Sequence, residues 1–209
     1  NFGEADMSKL SYITPGNNRV EVETELTRPG SAALNSVTAE EKFGVIHRTK
    51  LTLSNVPVAV TSVGGQAGVG GTKIFDFPAG KRVAFLGGYA DLSIQASGPF
   101  VDPDYTDFTD ATPEGDIGIG TLAPANANAL GTDATDDNFM TAAGFTMSAY
   151  NDPSVLLPSE ASAHFNGVST PVPMYVNVLV DAADIDDGVT SEVLVSGTVE
   201  FSWIELGNV

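Results

Sequence analysis

Val193-Leu194-Val195-Ser196-Gly197-Thr198-Val199-Glu200-Phe201-Ser202-Trp203-Ile204 is the stretch whose reading decides the fold. Val193, Val195, Val199, Phe201 and Trp203 fall on one side, and Ser196, Thr198, Glu200 and Ser202 on the other, the period of a strand with one buried face. At ~3.3 Å per residue it runs ~40 Å, longer than most strands, so several other segments must pack across it. No helical pattern of similar strength occurs. An all-β chain is predicted, an antiparallel β-sandwich of jelly-roll-like form with an extended N-terminal arm.

Working outward, residues 43–53 read as a strand with Phe43, Val45, Leu51 and Leu53 inward and Arg48, Lys50 and Thr52 outward. A second strand is expected over 56–63. Residues 72–77 and 82–96 read as a hairpin across Pro78-Ala79-Gly80, where proline presets one turn angle and glycine admits a positive φ. Within 82–96 the inward set passes from Val83 and Phe85 to Ala90, Leu92 and Ile94. That change of parity predicts a β-bulge at Gly87-Gly88. Further strands are expected at 117–122, 139–149, 161–168 and 174–180, with Met174, Val176, Val178 and Val180 inward. A short helix over 133–141 is the rival to the start of the 139–149 strand. The Pro- and Asp-rich residues 97–116 read as a long surface loop, and 123–130 as a linker. About eight or nine strands result, in one domain with no internal repeat.

Residues 1–42 have arm composition, broken by Pro15-Gly16 and Pro29-Gly30, with a weak helical turn expected over 35–42. They are too poor in apolar residues to fold alone, so a partner surface is expected to order them. The domain boundary is placed between 42 and 43.

The 209 residues carry a net charge of −18 and no cysteine. Disulfides, thiolate metal sites and cysteine nucleophiles are thereby excluded, and the charge opposes gripping nucleic acid or anionic membrane through a general basic surface. No apolar run approaches the roughly 18 residues that span a bilayer, and the chain reads as soluble. It begins at Asn1 rather than Met, which leaves N-terminal processing open. All nine basic residues lie in the first 82 positions against eight acids there, so residues 83–209 carry −19. The bland reading of this asymmetry is an acidic surface kept for solubility. The sharper one is a neutral N-terminal part that docks on a partner while the acidic part faces solvent.

Candidate chemical sites are weak. The run from Gly64 to Lys73 fails as a phosphate loop, because Gly71 stands where the lysine belongs and a strand follows; it reads as a flexible loop. Residues 181–188 carry Asp181, Asp184, Asp186 and Asp187, but aligning Gly188 with the sixth EF-hand position puts Ala183 at the first and Ile185 at the third. A solvated turn is favoured over an irregular calcium site. His47 lies on an apolar face and reads as a core or edge residue rather than a ligand. His164 lies on a polar face. No nucleophile elbow occurs, and Trp203 alternates with core valines, which favours packing over a sugar platform. No catalytic, cofactor or metal residue is assigned.

The stretches Val45-Ile46-His47-Arg48-Thr49-Lys50-Leu51-Thr52-Leu53 and Val195-Ser196-Gly197-Thr198-Val199-Glu200-Phe201-Ser202-Trp203-Ile204-Glu205-Leu206-Gly207 resemble small β-rich virion proteins of tailed bacteriophages, particularly marine ones. The resemblance is to capsid decoration, or cement, proteins; it covers roughly residues 43–207 and rests on pattern rather than a diagnostic motif. It implies a non-catalytic β-sandwich on the outer capsid surface that binds the major capsid protein, bridges capsid subunits and repeats over a symmetric lattice or homo-oligomer, without nucleic acid or membrane as partners. Arg19, Arg28, Lys42, Arg48 and Lys50 are the expected partner-binding residues. The alternatives are a jelly-roll major capsid or tail protein, and a secreted calcium- or glycan-binding module.

Overall fold

The computed structural model describes residues 9–13, 19–23, 31–32, 36–42, 45–96, 113–125, 130, 137–146, 155–158, 163–167, 169–188 and 190–206. Among them are thirteen strands and no helix. The strands are β1 (Lys9–Ile13), β2 (Arg19–Glu23), β3 (Ser31–Ala32), β4 (Val37–Lys42), β5 (His47–Thr61), β6 (Gly68–Asp76) and β7 (Lys81–Ala96). They continue with β8 (Glu114–Gly120), β9 (Met140–Thr146), β10 (Val155–Pro158), β11 (Ala163–Gly167), β12 (Pro173–Val180) and β13 (Thr190–Glu205). β1 and β2 pair with each other, and the other eleven form one antiparallel sheet.

β13 runs through the sheet between β5 and β7, paired with both along nearly all of its 16 residues. Its burial alternates as the sequence predicts: Val193, Val195, Val199 and Trp203 are fully buried and Phe201 nearly so. The sheet curls on itself into a half-barrel. β5 meets β6 at the single register pair Thr61↔Val69, and from there the two strands diverge into different layers. The front layer is β4-β5-β13-β7, with β10 and β11 sharing the far edge of β7; the back layer is β3-β6-β12-β8-β9.

Aromatic rings lock the layers together. Trp203 of the front meets Phe77 of the back edge-on at 5.4 Å, Phe201 meets Phe75 at 5.5 Å, and Phe85 meets Phe139 at 5.0 Å. Such contacts add roughly 0.5–1.5 kcal/mol each beyond the area they bury. This is the sandwich that the alternation predicts.

Several local expectations are corrected. Phe43 lies outside the described residues, and the strands expected over 43–53 and 56–63 are joined in one, β5, continuous from His47 to Thr61. Its inward set is Leu51 and Leu53, then Val56, Val58 and Val60, and the change of parity is absorbed by a bulge. Ser54 and Asn55 together oppose Ser196, and Asn55 takes a φ of 51°. Val45, expected inside, is 92% exposed, because it precedes the first paired residue of β5.

β6 begins at Gly68, so the greater part of the glycine-rich run is strand rather than loop. There is no β6–β7 hairpin: residues 77–80 carry the chain from the back layer to the front, and Gly80 (φ 78°) turns it. The bulge in β7 is present one residue early, with Leu86 the extra residue and Gly87 at φ 122°.

Residues 37–42 are strand β4, not a helical turn, and Val37 is a core residue only 4% exposed. The expected boundary at 42/43 therefore falls between two paired strands. Residues 137–146 hold strand β9 and no helical turn, and β10 is a strand that the alternation did not indicate. Residues 97–112 and 131–136, the acidic loop and the rest of the rival helix, lie outside the described residues.

Candidate docking face

The two layers treat their outer faces differently. In the back layer, Leu179 and Asn177 point away from the core yet are buried, Leu179 in a small cluster with Ala67 and Leu130. Asn177 Nδ2 donates to the Leu122 carbonyl at 2.8 Å. The front layer has no such cover among the described residues. Thr38, Glu40, Lys42, Arg48, Lys50 and Thr52 are all exposed on its outer face.

Register aligns that face into rows. One runs Glu40↔Lys50↔Glu200↔Tyr89 across β4, β5, β13 and β7. Lys50 Nζ sits 3.3 Å from Glu200 Oε1, and the Tyr89 hydroxyl, hydrogen-bonded to Glu200, has its pKa raised by that bond first and by slight desolvation second. The next row runs Lys42↔Arg48↔Ser202. Two cations directly opposite one another destabilise a strand pair, and among the described residues neither makes an ion pair. This end of the layer also carries exposed Val45, Ile46, Leu86 and Leu206, with Arg82 beside Leu206.

A buried network fixes β4 beneath these cations. Trp203 Nε1 donates to Thr49 Oγ1 at 3.0 Å, and Thr49 Oγ1 donates to Glu41 Oε1 at 3.0 Å. Glu41 lies between Glu40 and Lys42 on the opposite face of β4, so the chain of bonds sets where those outer side chains emerge. Burial raises the Glu41 carboxyl pKa, and the Thr49 bond partly opposes it. His47 is buried against Trp203; burial lowers its pKa, and the charge of Glu205 partly restores it.

Of the five cations expected to bind a partner, the structure brings Lys42, Arg48 and Lys50 onto one face and engages Lys50 with Glu200. Arg19 is in β2, opposite Ile13 in the separate ribbon, and Arg28 lies outside the described residues. The exposed apolar residues escaped the sequence reading. Val45 was assigned inward, and Leu86 became visible only as the inserted residue of the bulge.

The other sites read from sequence fall as follows. Trp203 is in the core, and His164 is exposed on β11. In the loop 181–188, Asp184 accepts the Glu114 amide at 2.8 Å while its own amide donates to the Asp181 carbonyl, so it holds the turn together. Among the described residues no three His, Asp or Glu side chains converge as a metal-ligand group. The open groove lined by Thr121, Leu122 and Thr170 to Pro173 carries no titratable side chain.

No family profile matches this chain, and no curated protein matches it. Five chains of solved structures match. One, from the structure of infectious bursal disease virus Gt strain, is 14% identical with a TM-score of 0.36, over 78% of this chain and 33% of that one. Another, from arabinose-bound MgGH51 α-L-arabinofuranosidase, is 13% identical with a TM-score of 0.32, over 85% of this chain and 25% of that one. This chain therefore spans a third or less of each of those two, and at such scores neither likeness bears on function.

Proposed function

We propose that the chain is a virion structural protein, and within that class a capsid decoration protein that lies on the outer shell and bridges neighbouring capsid subunits without catalysis. The observation that carries this reading is the front layer, a broad sheet face that nothing covers among the described residues and that presents Lys42, Arg48 and Lys50 together, Lys42 and Arg48 opposed with no counter-ion among those residues. Placing two such charges side by side is unfavourable until an acidic surface, of the shell or of a neighbouring copy seated on it, neutralises them. The sequence resemblance points the same way. Arg19, Arg28 and Lys50 are the remaining partner-binding candidates, with the major capsid protein as partner and no cofactor required. Each contact is modest, and repetition over a symmetric lattice multiplies it.

The test is occupancy on undecorated particles, measured by quantitative mass spectrometry. A chain lacking residues 1–30 keeps β3 and β4 and should remain folded, but should decorate at far lower occupancy than the full chain. Full occupancy by both this truncation and Lys50→Glu would remove the arm and the front layer as the docking surface. Removing 1–42 is the wrong control, because it also deletes β4 and Val37 from the core.

A further inference from the structure

The long strand β5 connects two ends of opposite chemistry. At the end where it begins, the front layer exposes Lys42, Arg48 and Arg82 without ion pairs among the described residues, around exposed Val45 and Ile46. Fourteen residues later, roughly 45 Å away at strand rise, β5 ends at Thr61, whose hydroxyl meets that of Thr190 at 2.9 Å.

There the loop 181–188 closes over the strand end, the Gly188 amide donating to the Ser62 carbonyl. Asp181, Asp186 and Asp187 are exposed on it, and Glu114 is tied to it by the Asp181 amide and by Asp184. Among these acids Val63 is 69% exposed. No basic residue follows Arg82 in the chain, so β8, β12, β13 and the loops between them bring none to this end. Asp116, nearby on β8, has its pKa raised by burial and then by the charge of Asp181, as expected of acids without a cation among them.

We propose that this protein associates with itself head to tail, the cationic end of one copy around Val45, Ile46, Lys42 and Arg48 seating on the acidic end of the next around Val63, Asp181, Asp186 and Asp187. One end sets exposed Val45 and Ile46 beside Lys42, Arg48 and Arg82, the other sets exposed Val63 beside Asp181, Asp186 and Asp187, and the two groups of charge are of opposite sign, so a second copy is the complement already encoded in the chain. Two identical acidic ends repel, and so do two identical cationic ends, which disfavours a two-fold arrangement through either end alone. A heterologous contact of this kind builds rings when its rotation closes and open arrays when it does not. This deepens the decoration reading by naming the occupant of the Lys42–Arg48 end, leaving the arm and the face around Lys50 to the shell. Its test uses the isolated protein, so its failure and the failure of shell binding are told apart.

Sedimentation velocity on the full chain at low salt should show concentration-dependent association, weakened at least about tenfold near 1 M salt, where screening acts within a few ångströms. Lys42→Glu/Arg48→Glu removes one end and Asp186→Lys/Asp187→Lys the other. All four side chains are exposed, and an unchanged thermal melt will confirm that each variant folds. Each variant alone should lose association, since every contact then opposes like charges. Combining the four substitutions in one chain should restore it with the polarity reversed. A parent chain that stays monomeric at every concentration and salt overturns the proposal. So does undiminished association of either two-site variant, or a four-site variant that remains monomeric.

Discussion

The imidazole of His47 lies flat against the indole of Trp203, ring centroids 4.0 Å apart and planes 16° from parallel. The two residues are directly paired in register, His47 opening β5 and Trp203 near the close of β13. The stack ends the apolar core of the front layer at the point where the chain of bonds through Thr49 and Glu41 begins. Core packing, the anchoring of β4 and the outward display of Lys42 and Arg48 all meet there.

Trp203→Ala should lower stability by about 3–5 kcal/mol, the cost of removing a large buried aromatic side chain. Trp203→Phe keeps an aromatic ring but takes the donor from Thr49 Oγ1, and should cost less. Denaturant midpoints at constant slope measure both. An unchanged midpoint for Trp203→Ala would place the indole outside the core.

Glu41 and His47 respond to pH in opposite senses. The Glu41 carboxyl has a folded pKa above its ordinary 4.5. Its contribution is therefore full below that value and is lost as pH rises through the folded one. His47 has a folded pKa below its ordinary 6.5, so its contribution is full above 6.5 and is lost as pH falls through the folded one. Glu41→Gln should accordingly be more stable than the parent near neutral pH, with the gain fading on acidification. His47→Gln should blunt the parent's loss of stability below 6.5. Thermal melts across pH 4–8 decide it, and a Glu41→Gln effect independent of pH would contradict the buried-carboxylate account.

The bulge between β5 and β13 makes a third test. Asn55 holds φ 51° while its backbone amide donates to Ser196 Oγ at 2.8 Å and its Oδ1 accepts from the Ser196 hydroxyl at 3.0 Å. Across from it Gly197 has φ 132°, and a Cβ there would overlap the Asp91 carbonyl oxygen. Gly197→Ala should destabilise by more than about 1 kcal/mol. Asn55→Ala should cost more than Asn55→Gly, since only glycine takes the left-handed backbone freely. Equal effects of the two would show that the positive φ is not what constrains this site.

By itself the sequence determined which side of each long strand faces inward. That property is local, because successive side chains alternate, and the core-facing apolar residues recur at alternate positions from Val193 to Trp203 and from Met174 to Val180. The same logic located the β7 bulge within one residue. An equal change of parity, from Leu51 and Leu53 to Val56, Val58 and Val60, marks the β5 bulge, where the sequence reading placed a break between two strands. Charge patterning singled out Arg19, Arg28, Lys42, Arg48 and Lys50, of which Lys42, Arg48 and Lys50 share one face. Only the tertiary structure decided that β4 pairs with β5 and so sets Lys42 opposite Arg48. It also decided that Pro78-Ala79-Gly80 leads across layers instead of folding a hairpin, and that the acids of 181–188 stand at the far end of β5. Strand partners, unlike strand faces, are chosen by contacts between segments distant in the chain. The four-residue connection 77–80 is short enough for a hairpin or a crossing, and in the crossing it makes, Phe77 packs against Trp203.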